Sequence, residues 1–339
     1  MKKKLLKLCE KIISKEGSNL KKIVECVPNF SEGRDLDKVE RIISTFRNKK
    51  NVLLVNYEPD ADYNRTVVTL LADPDIIIDV LMEFTKKVIN EIDLNIHSGE
   101  HPRMGAVDVI PFIPIENVTM KECIELANEM GRRISEEFQI PAFLYAEAAK
   151  KEDRILLPTI RKGEFEGMKT KIKEDAWAPD YGKSEIHPTF GVVGIGARYP
   201  LIAYNIDLKT EDEKIANSIA KAIRKSSGGF AYIQAGPAYL EQKHHVQVTM
   251  NILDYKKNPI YRIFEVVKME ASRYHIEVLS AEIVGLLPKD ALLKSLQYYF
   301  EVNKLSFDKN MSLSEIVSYS IRFLKLRDFN ESKIIESFR

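Results

Sequence analysis

Residues Leu201 to Ile223 read LIAYNIDLKTEDEKIANSIAKAI, an apolar run, a polar break and then a stretch with a different period. The run Leu201 to Ile206 predicts a strand, and from about Asp212 to Arg224 the residues Ile215, Ile219, Ala222 and Ile223 fall on one face of a helix. The pattern continues downstream. Strands are predicted near Phe230 to Gln234 and Val246 to Leu253, a helix near Tyr261 to Tyr274, a strand at Ile276 to Val278 and a helix at Lys289 to Tyr299. That order, βαββαβ, suits a ferredoxin-like layer. The tail from Ser312 to Arg339 predicts two short helices carrying Ile316, Ile321, Leu324 and Ile335, packed on the same subdomain.

The half before Leu201 is also mixed α/β. Ile23 to Val27 predicts a strand, Pro28 to Gly33 a loop, and Leu36 to Arg47 a helix buried through Val39, Ile42, Ile43 and Phe46. Strands follow at Val52 to Tyr57, Thr66 to Leu71 and Val107 to Phe112, with helices at Pro74 to Ile92 and Lys121 to Phe138. Ala176 to Gly191 is too rich in turn formers for a regular element and predicts a working loop. Gly194-Ile195-Gly196-Ala197-Arg198 precedes a strand instead of following one, so a dinucleotide site is not indicated, and close backbone approach or a tight lead-in to the strand explains the glycines. Three segments result: an N-terminal helical extension over 1–22, a subdomain over 23–200 and another over 201–339.

The chain has 339 residues, 45% of them hydrophobic, and Lys+Arg 51 against Asp+Glu 50 leave a net charge of +1. Such a chain folds into ordinary globular domains and lacks the basic excess of dedicated nucleic-acid binders, so no nucleic acid is expected as partner. Cys9, Cys26 and Cys123 show no C-x-x-C spacing, which fits a reducing, cytoplasmic setting. No apolar run approaches ~20 residues, so no membrane partner is expected. Lys2 to Leu8 imitates a signal peptide, but Lys7, Glu10 and Lys11 break the apolar segment, and a short amphipathic helix with Leu5, Leu8, Cys9, Ile12 and Ile13 on one face is predicted instead.

Chemistry concentrates in His97 to Gly105, HSGEHPRMG, which puts two imidazoles, a carboxylate and a guanidinium in nine residues. His97 to His101 spells H-x-x-E-H, but Gly99 and Pro102 oppose the helix that a zinc site of this kind needs, so no metal is expected. A loop stiffened by glycine and proline can present an imidazole to a cleft for acid/base work near neutral pH. Trp177, Tyr181 and Phe190 either stack on a flat ligand or anchor their loop to the core. His245, Gln247 and Thr249 would share one face of a strand, with Val246 and Val248 on the other.

Several blocks then read together: VECVPNFSEG (24–33), NRTV (64–67), HSGEHPRMGAVDVIPFIP (97–114), FLY (143–145), WAPDYG (177–182), GAR (196–198), NIDL (205–208), NILDY (251–255) and IVGLLP (283–288). From about Ile23 onward the sequence resembles the formiminotransferase family. The resemblance implies an α+β (mixed α/β) fold of two ferredoxin-like subdomains meeting at a substrate cleft. It implies transfer of a formimidoyl group from N-formimidoyl-L-glutamate to tetrahydrofolate in histidine degradation, with tetrahydrofolate as co-substrate, no metal, and a homodimer. The catalytic histidine of GEHPRMG falls on His101, where one imidazole can take the proton folate N5 loses and give one to the departing glutamate nitrogen. The folate-binding loop falls on Gly182, Lys183, Ser184, Glu185, Ile186, His187, Pro188, Thr189, Phe190 and Gly191, which favours stacking for Phe190. Arg65, Arg103 and Arg198 are candidates for substrate carboxylates, since a guanidinium binds carboxylate bidentately. The chain leaves no room for a cyclodeaminase domain, so a separate cyclodeaminase is a possible partner. Formyl transfer from N-formyl-L-glutamate and folate binding without turnover are the alternatives.

Overall fold

The computed structural model describes residues 21 to 338, and the expected helical extension over 1–22 lies outside the described residues apart from Lys21 and Lys22. The chain divides into two compact units, one ending at Arg198 and the other running from Tyr199 to Phe338.

The first unit begins with β1 (Ile23–Cys26) and β2 (Asn29–Phe30), followed by α1 (Leu36–Ile43), β3 (Val52–Asp60), β4 (Arg65–Ala72), α2 (Pro74–Glu91) and β5 (Val107–Glu116). It continues with α3 (Met120–Phe138), β6 (Ala142–Ala146), α4 (Leu157–Arg161), α5 (Glu164–Lys171) and β7 (Val193–Ala197). The helix starts are written locally: Asp35 caps α1, Asp73 caps α2 with Pro74 in its first turn, and Thr119 and Glu122 form a capping box on α3. β1 and β2 act as one strand interrupted at Val27-Pro28, because both pair antiparallel with β4 and with β5. With β3 outside β4, the strands of the βαββαβ run lie in the order second, third, first, fourth. β7 then adds to β5, and β6 to β7, both parallel.

The second unit holds β8 (Ile202–Leu208), α6 (Glu213–Ile223), β9 (Ile233–Leu240), β10 (His245–Ile252), α7 (Ile260–Ser272) and β11 (Val278–Val284). Its sheet order is β11-β8-β10-β9, all antiparallel, which is the ferredoxin-like arrangement and repeats that of the first unit's core. Helices α8 (Lys289–Val302) and α9 (Leu313–Leu324) add their apolar faces to its core through Leu292, Leu296, Ile316 and Leu324. The α+β class follows directly. No helix of the described residues is long and apolar enough to cross a membrane.

Several elements differ from the sequence expectation for physical reasons. The expected loop over Pro28 to Gly33 contains the short strand β2, since Asn29 and Phe30 complete ladders on both sides. The strand expected at Phe230 to Gln234 is β9, running on through Gly236-Pro237. Proline is tolerated there because β9 pairs only with β10 at the sheet edge. The strand expected at Ile276 to Val278 begins at Val278 and extends to Val284. The glycine run Gly191 to Gly196 is no lead-in: Val193 to Ala197 is itself an interior strand, and a Cβ at Gly196 would come within 2.6 Å of the Tyr145 ring. β6, α4 and α5 had no sequence expectation. On the polar face that His245, Gln247 and Thr249 share, Gln247 is buried and donates to the buried Asp207 carboxylate at 2.6 Å.

Candidate active site

Two adjacent residues at the start of β4 organise the His97 to Gly105 segment, which holds no helix. Asn64, in the left-handed region at φ 48°, accepts from the Gly33 amide at 3.0 Å through Oδ1. Its Nδ2 donates to the Ser98 carbonyl at 2.7 Å and to His97 Nδ1 at 3.3 Å. Arg65 Nη1 donates to His101 Nδ1 at 3.3 Å. Gly99 permits this close passage, because a Cβ there would stand 2.5 Å from the Tyr63 carbonyl oxygen.

His101 is only 5% exposed. Its Nε2 lies 3.5 Å from Asp108 Oδ2, within ionic range but not aligned as a hydrogen bond. Asp108 is fully buried at the start of β5; its Oδ1 accepts the Met104 amide at 2.9 Å and its Oδ2 accepts from Arg161 Nη2 of α4. One carboxylate thus closes the HPRMG turn, faces the imidazole and neutralises a guanidinium. Gly105 is required at the end of that turn, since a Cβ would stand 1.9 Å from the Val192 carbonyl oxygen.

The three candidate arginines differ. Arg65 contacts His101 and lies over the Tyr63 ring at 5.2 Å. Arg103 is nearly buried, and its fork is engaged by Glu166 in a bidentate pair and by Glu164, both from α5. Arg198 is half-buried, and its charge acts on Glu25 and Tyr145. The structure brings Arg65 and His101 into contact.

Glu25, on β1, is buried, and this burial pushes its carboxyl up to about 7 against the opposing pull of Arg198. The folded state therefore keeps a proton that the unfolded chain loses near pH 4.5, so stability falls as pH rises from there and the loss is complete above about pH 7. Glu25→Gln, which stays neutral, is expected to match wild type at pH 4 to 5 and to exceed it by roughly 3 kcal/mol at pH 8. Urea unfolding at the two pH values checks this, and equal stabilities at pH 8 would refute it.

The expected folate loop stands on a buried arginine. Arg154, fully buried, donates to Asp180 Oδ2 at 2.9 Å and to the carbonyls of Ala176 and Ala178 at 3.1 and 2.7 Å. Phe143 and Trp177 flank it, so Trp177 anchors the loop. Tyr181 is a second anchor: its hydroxyl donates to Asn128 Oδ1 at 2.7 Å, and its ring lies so close to Gly131 that a Cβ there would be at 2.7 Å. Gly182 and Gly191 bound the loop at φ 92° and 84°, and Gly182 to Glu185 are exposed. His187 turns inward, its Nδ1 accepting from the Phe190 amide at 3.1 Å, and burial lowers its pKa. Phe190 corrects an expectation: its ring is fully buried in the first unit's core, so it cannot stack on a ligand. Thr189 and Pro188 instead accept from the Leu94 amide and from Asn95 Nδ2, both at 2.9 Å, tying this loop to the His97 segment.

A cavity of about 450 Å³ opens beside these groups, with Ser31, Glu32, Asn64, Ile96, His97 and Thr189 in its lining and without His101. Glu32 is held ionised there by the amides of Gly33, Arg34 and Asp35 and by Lys38 at 2.9 Å, contacts that outweigh its burial and lower its pKa. Among the described residues no group of three or more His, Cys, Asp or Glu is placed to hold a metal ion.

Sequence reasoning missed Arg154, Arg161, Glu164 and Glu166. All four stand in a stretch without a motif, and only the fold shows what each one pairs with.

Comparison with known proteins gives two family matches. The family described as formiminotransferase domain, N-terminal subdomain, matches residues 23–198, and the formiminotransferase domain matches residues 203–339. The glutamate formimidoyltransferase of Streptococcus pyogenes serotype M1 is 44% identical over 290 residues, covering 86% of this chain and 97% of its own. That of Thermoplasma acidophilum is 44% identical over 283 residues, covering 83% of this chain and 93% of its own. The formimidoyltransferase-cyclodeaminase of Gallus gallus is 36% identical over 322 residues, covering 93% of this chain and 59% of its own length.

Proposed function

Because the chain belongs to the formiminotransferase family and is an enzyme of formimidoyl transfer, we propose that it moves the formimidoyl group from N-formimidoyl-L-glutamate to N5 of tetrahydrofolate, with His101 as general acid/base. The observation that carries this reading is a nearly buried imidazole held between a buried carboxylate and a guanidinium at the start of β5. A guanidinium can only donate, so the Nδ1 that Arg65 faces carries the lone pair and the neutral ring's proton sits on Nε2, toward Asp108; Nδ1 is then the nitrogen that exchanges protons. The donor's carboxylate draws the Arg65 guanidinium into a bidentate pair and frees Nδ1. Folate N5 then attacks the amidine carbon; the N5–C bond forms, Nδ1 takes the N5 proton, and the carbon to glutamate-nitrogen bond breaks as that proton passes to the leaving amine. Charge and atoms balance, and one residue serves both steps. Holding the two substrates in line supplies the rest of the rate.

In this reading Gly182 to Gly191 contacts the folate through backbone and exposed side chains, and Arg198 or Arg103 contributes to carboxylate binding only where Glu25 or Glu166 yields. The protein works in the cytoplasm as a homodimer of two-subdomain chains, and a separate cyclodeaminase consumes its product. A spectrophotometric assay with tetrahydrofolate tests the donor: transfer from N-formimidoyl-L-glutamate is expected to exceed that from N-formyl-L-glutamate at least about tenfold, because a protonated amidine carbon is more electrophilic than an amide carbon and its leaving amine can accept the proton that His101 carries. Faster formyl transfer would reassign the donor, and folate binding without turnover from either would make the chain a binding protein.

A further inference from the structure

We propose that His97, acting through its Nε2–H, is a binding residue that hydrogen-bonds the 4-oxo group of the pterin ring in the cavity that His97 itself lines, with Ile96 covering the ring. The inference rests on the folate reading above and deepens it by naming the subsite.

The tautomer of His97 follows from backbone groups. Asn64 Oδ1 faces the Gly33 amide, a donor without ambiguity, and its Nδ2 faces the Ser98 carbonyl, so the orientation of the side-chain amide is set. Nδ2 is therefore the donor to His97 Nδ1, and the neutral ring carries its proton on Nε2. Burial and the nearby Arg103 charge favour the neutral ring by lowering its pKa. Among the described residues that Nε2 is buried and makes no hydrogen bond. A buried donor left without an acceptor costs about 1–3 kcal/mol, which a ligand carbonyl would recover.

The cavity that His97 lines favours a pterin over a carboxylate. Its lining holds Glu32, Asp35 and Asp93 against Arg34 and Lys38, with Glu91 already paired to Arg41 and Lys87, a mixed surface whose carboxylates suit a ring edge rich in N–H donors. A 2-amino-4-oxo pyrimidine presents such donors beside one carbonyl. At the rim stands Ile96, which is 86% exposed although apolar, and a flat ring laid on it would remove that surface from water. Thr189 of the expected folate loop lines the same cavity, and the Leu94 to Thr189 hydrogen bond holds the two segments together. Asn64 thus aims one imidazole and its neighbour Arg65 the other, so a pterin seated on His97 lies in the segment that carries the acid/base group.

The test uses the full chain and 5-formyltetrahydrofolate as a stable probe. Calorimetric titration of wild type, His97→Leu, His97→Gln and Ile96→Ser is paired with steady-state kinetics. His97→Leu is expected to weaken probe binding about tenfold and to raise KM for tetrahydrofolate equally, with kcat within about twofold and KM for the formimidoyl donor unchanged. His97→Gln, whose amide can still donate, is expected to recover most of the affinity. Ile96→Ser, at a position too exposed to disturb the fold, is expected to weaken binding about threefold, and it keeps the proposal testable if His97→Leu does not fold. Unchanged probe affinity in His97→Leu and Ile96→Ser, or a loss confined to kcat or to the donor's KM, would overturn the proposal. Wild type that binds the probe without turnover would fail the catalytic reading alone, whereas wild type that binds no folate would overturn both.

Discussion

Replacing His101 by alanine is expected to lower kcat by about 10²–10⁴ while tetrahydrofolate still binds. The imidazole touches both Asp108 and Arg65, and without it the proton leaving N5 has to go to water. The fold should survive the change. Asp108 keeps the Met104 amide and Arg161 as partners, so no charge is stranded. Stopped-flow or steady-state assays of the variant, with its melting curve and folate titration as controls, check the outcome. A variant retaining more than about a tenth of wild-type kcat would remove His101 from the acid/base role.

The largest effect on stability is expected at Arg154. Its guanidinium is fully buried, paired with the buried Asp180 and bonded to two carbonyls of the loop leading to Gly182. Arg154→Ala strands the Asp180 carboxylate and those carbonyls, a loss of about 3–5 kcal/mol, because the water both partners gave up on folding is not returned. Asp180 also accepts the Leu144 amide at 2.8 Å, so the damage reaches β6. Urea unfolding followed by circular dichroism gives the magnitude, and KM for tetrahydrofolate should rise in whatever fraction stays folded. A change below about 1 kcal/mol would show that the pair contributes little net stability.

Much of this molecule was legible from local pattern. Capped, amphipathic helices such as Pro74–Glu91 and Met120–Phe138 announce themselves because their caps and apolar stripes lie within one segment. The βαββαβ order of the second unit was readable for the same reason. β6 and β7 were not, since buried parallel strands need only small or apolar residues and Gly194 and Gly196 are chosen by neighbours distant in the chain. Phe190 was misread because an aromatic in a loop has the same local signature whether it faces the core or a ligand.

The sequence by itself determined the class of fold and the family through GEHPRMGAVDVIPFIP, and it singled out His101 for the acid/base role proposed above. Only the tertiary structure decided which groups surround it. Arg65, Asp108 and Arg161 come from a hairpin, a central strand and a later helix, and Arg154 reaches a loop more than twenty residues on. Helix and strand periods are properties of neighbouring residues, whereas burial and charge pairing depend on which distant segments the folded chain brings within hydrogen-bond reach.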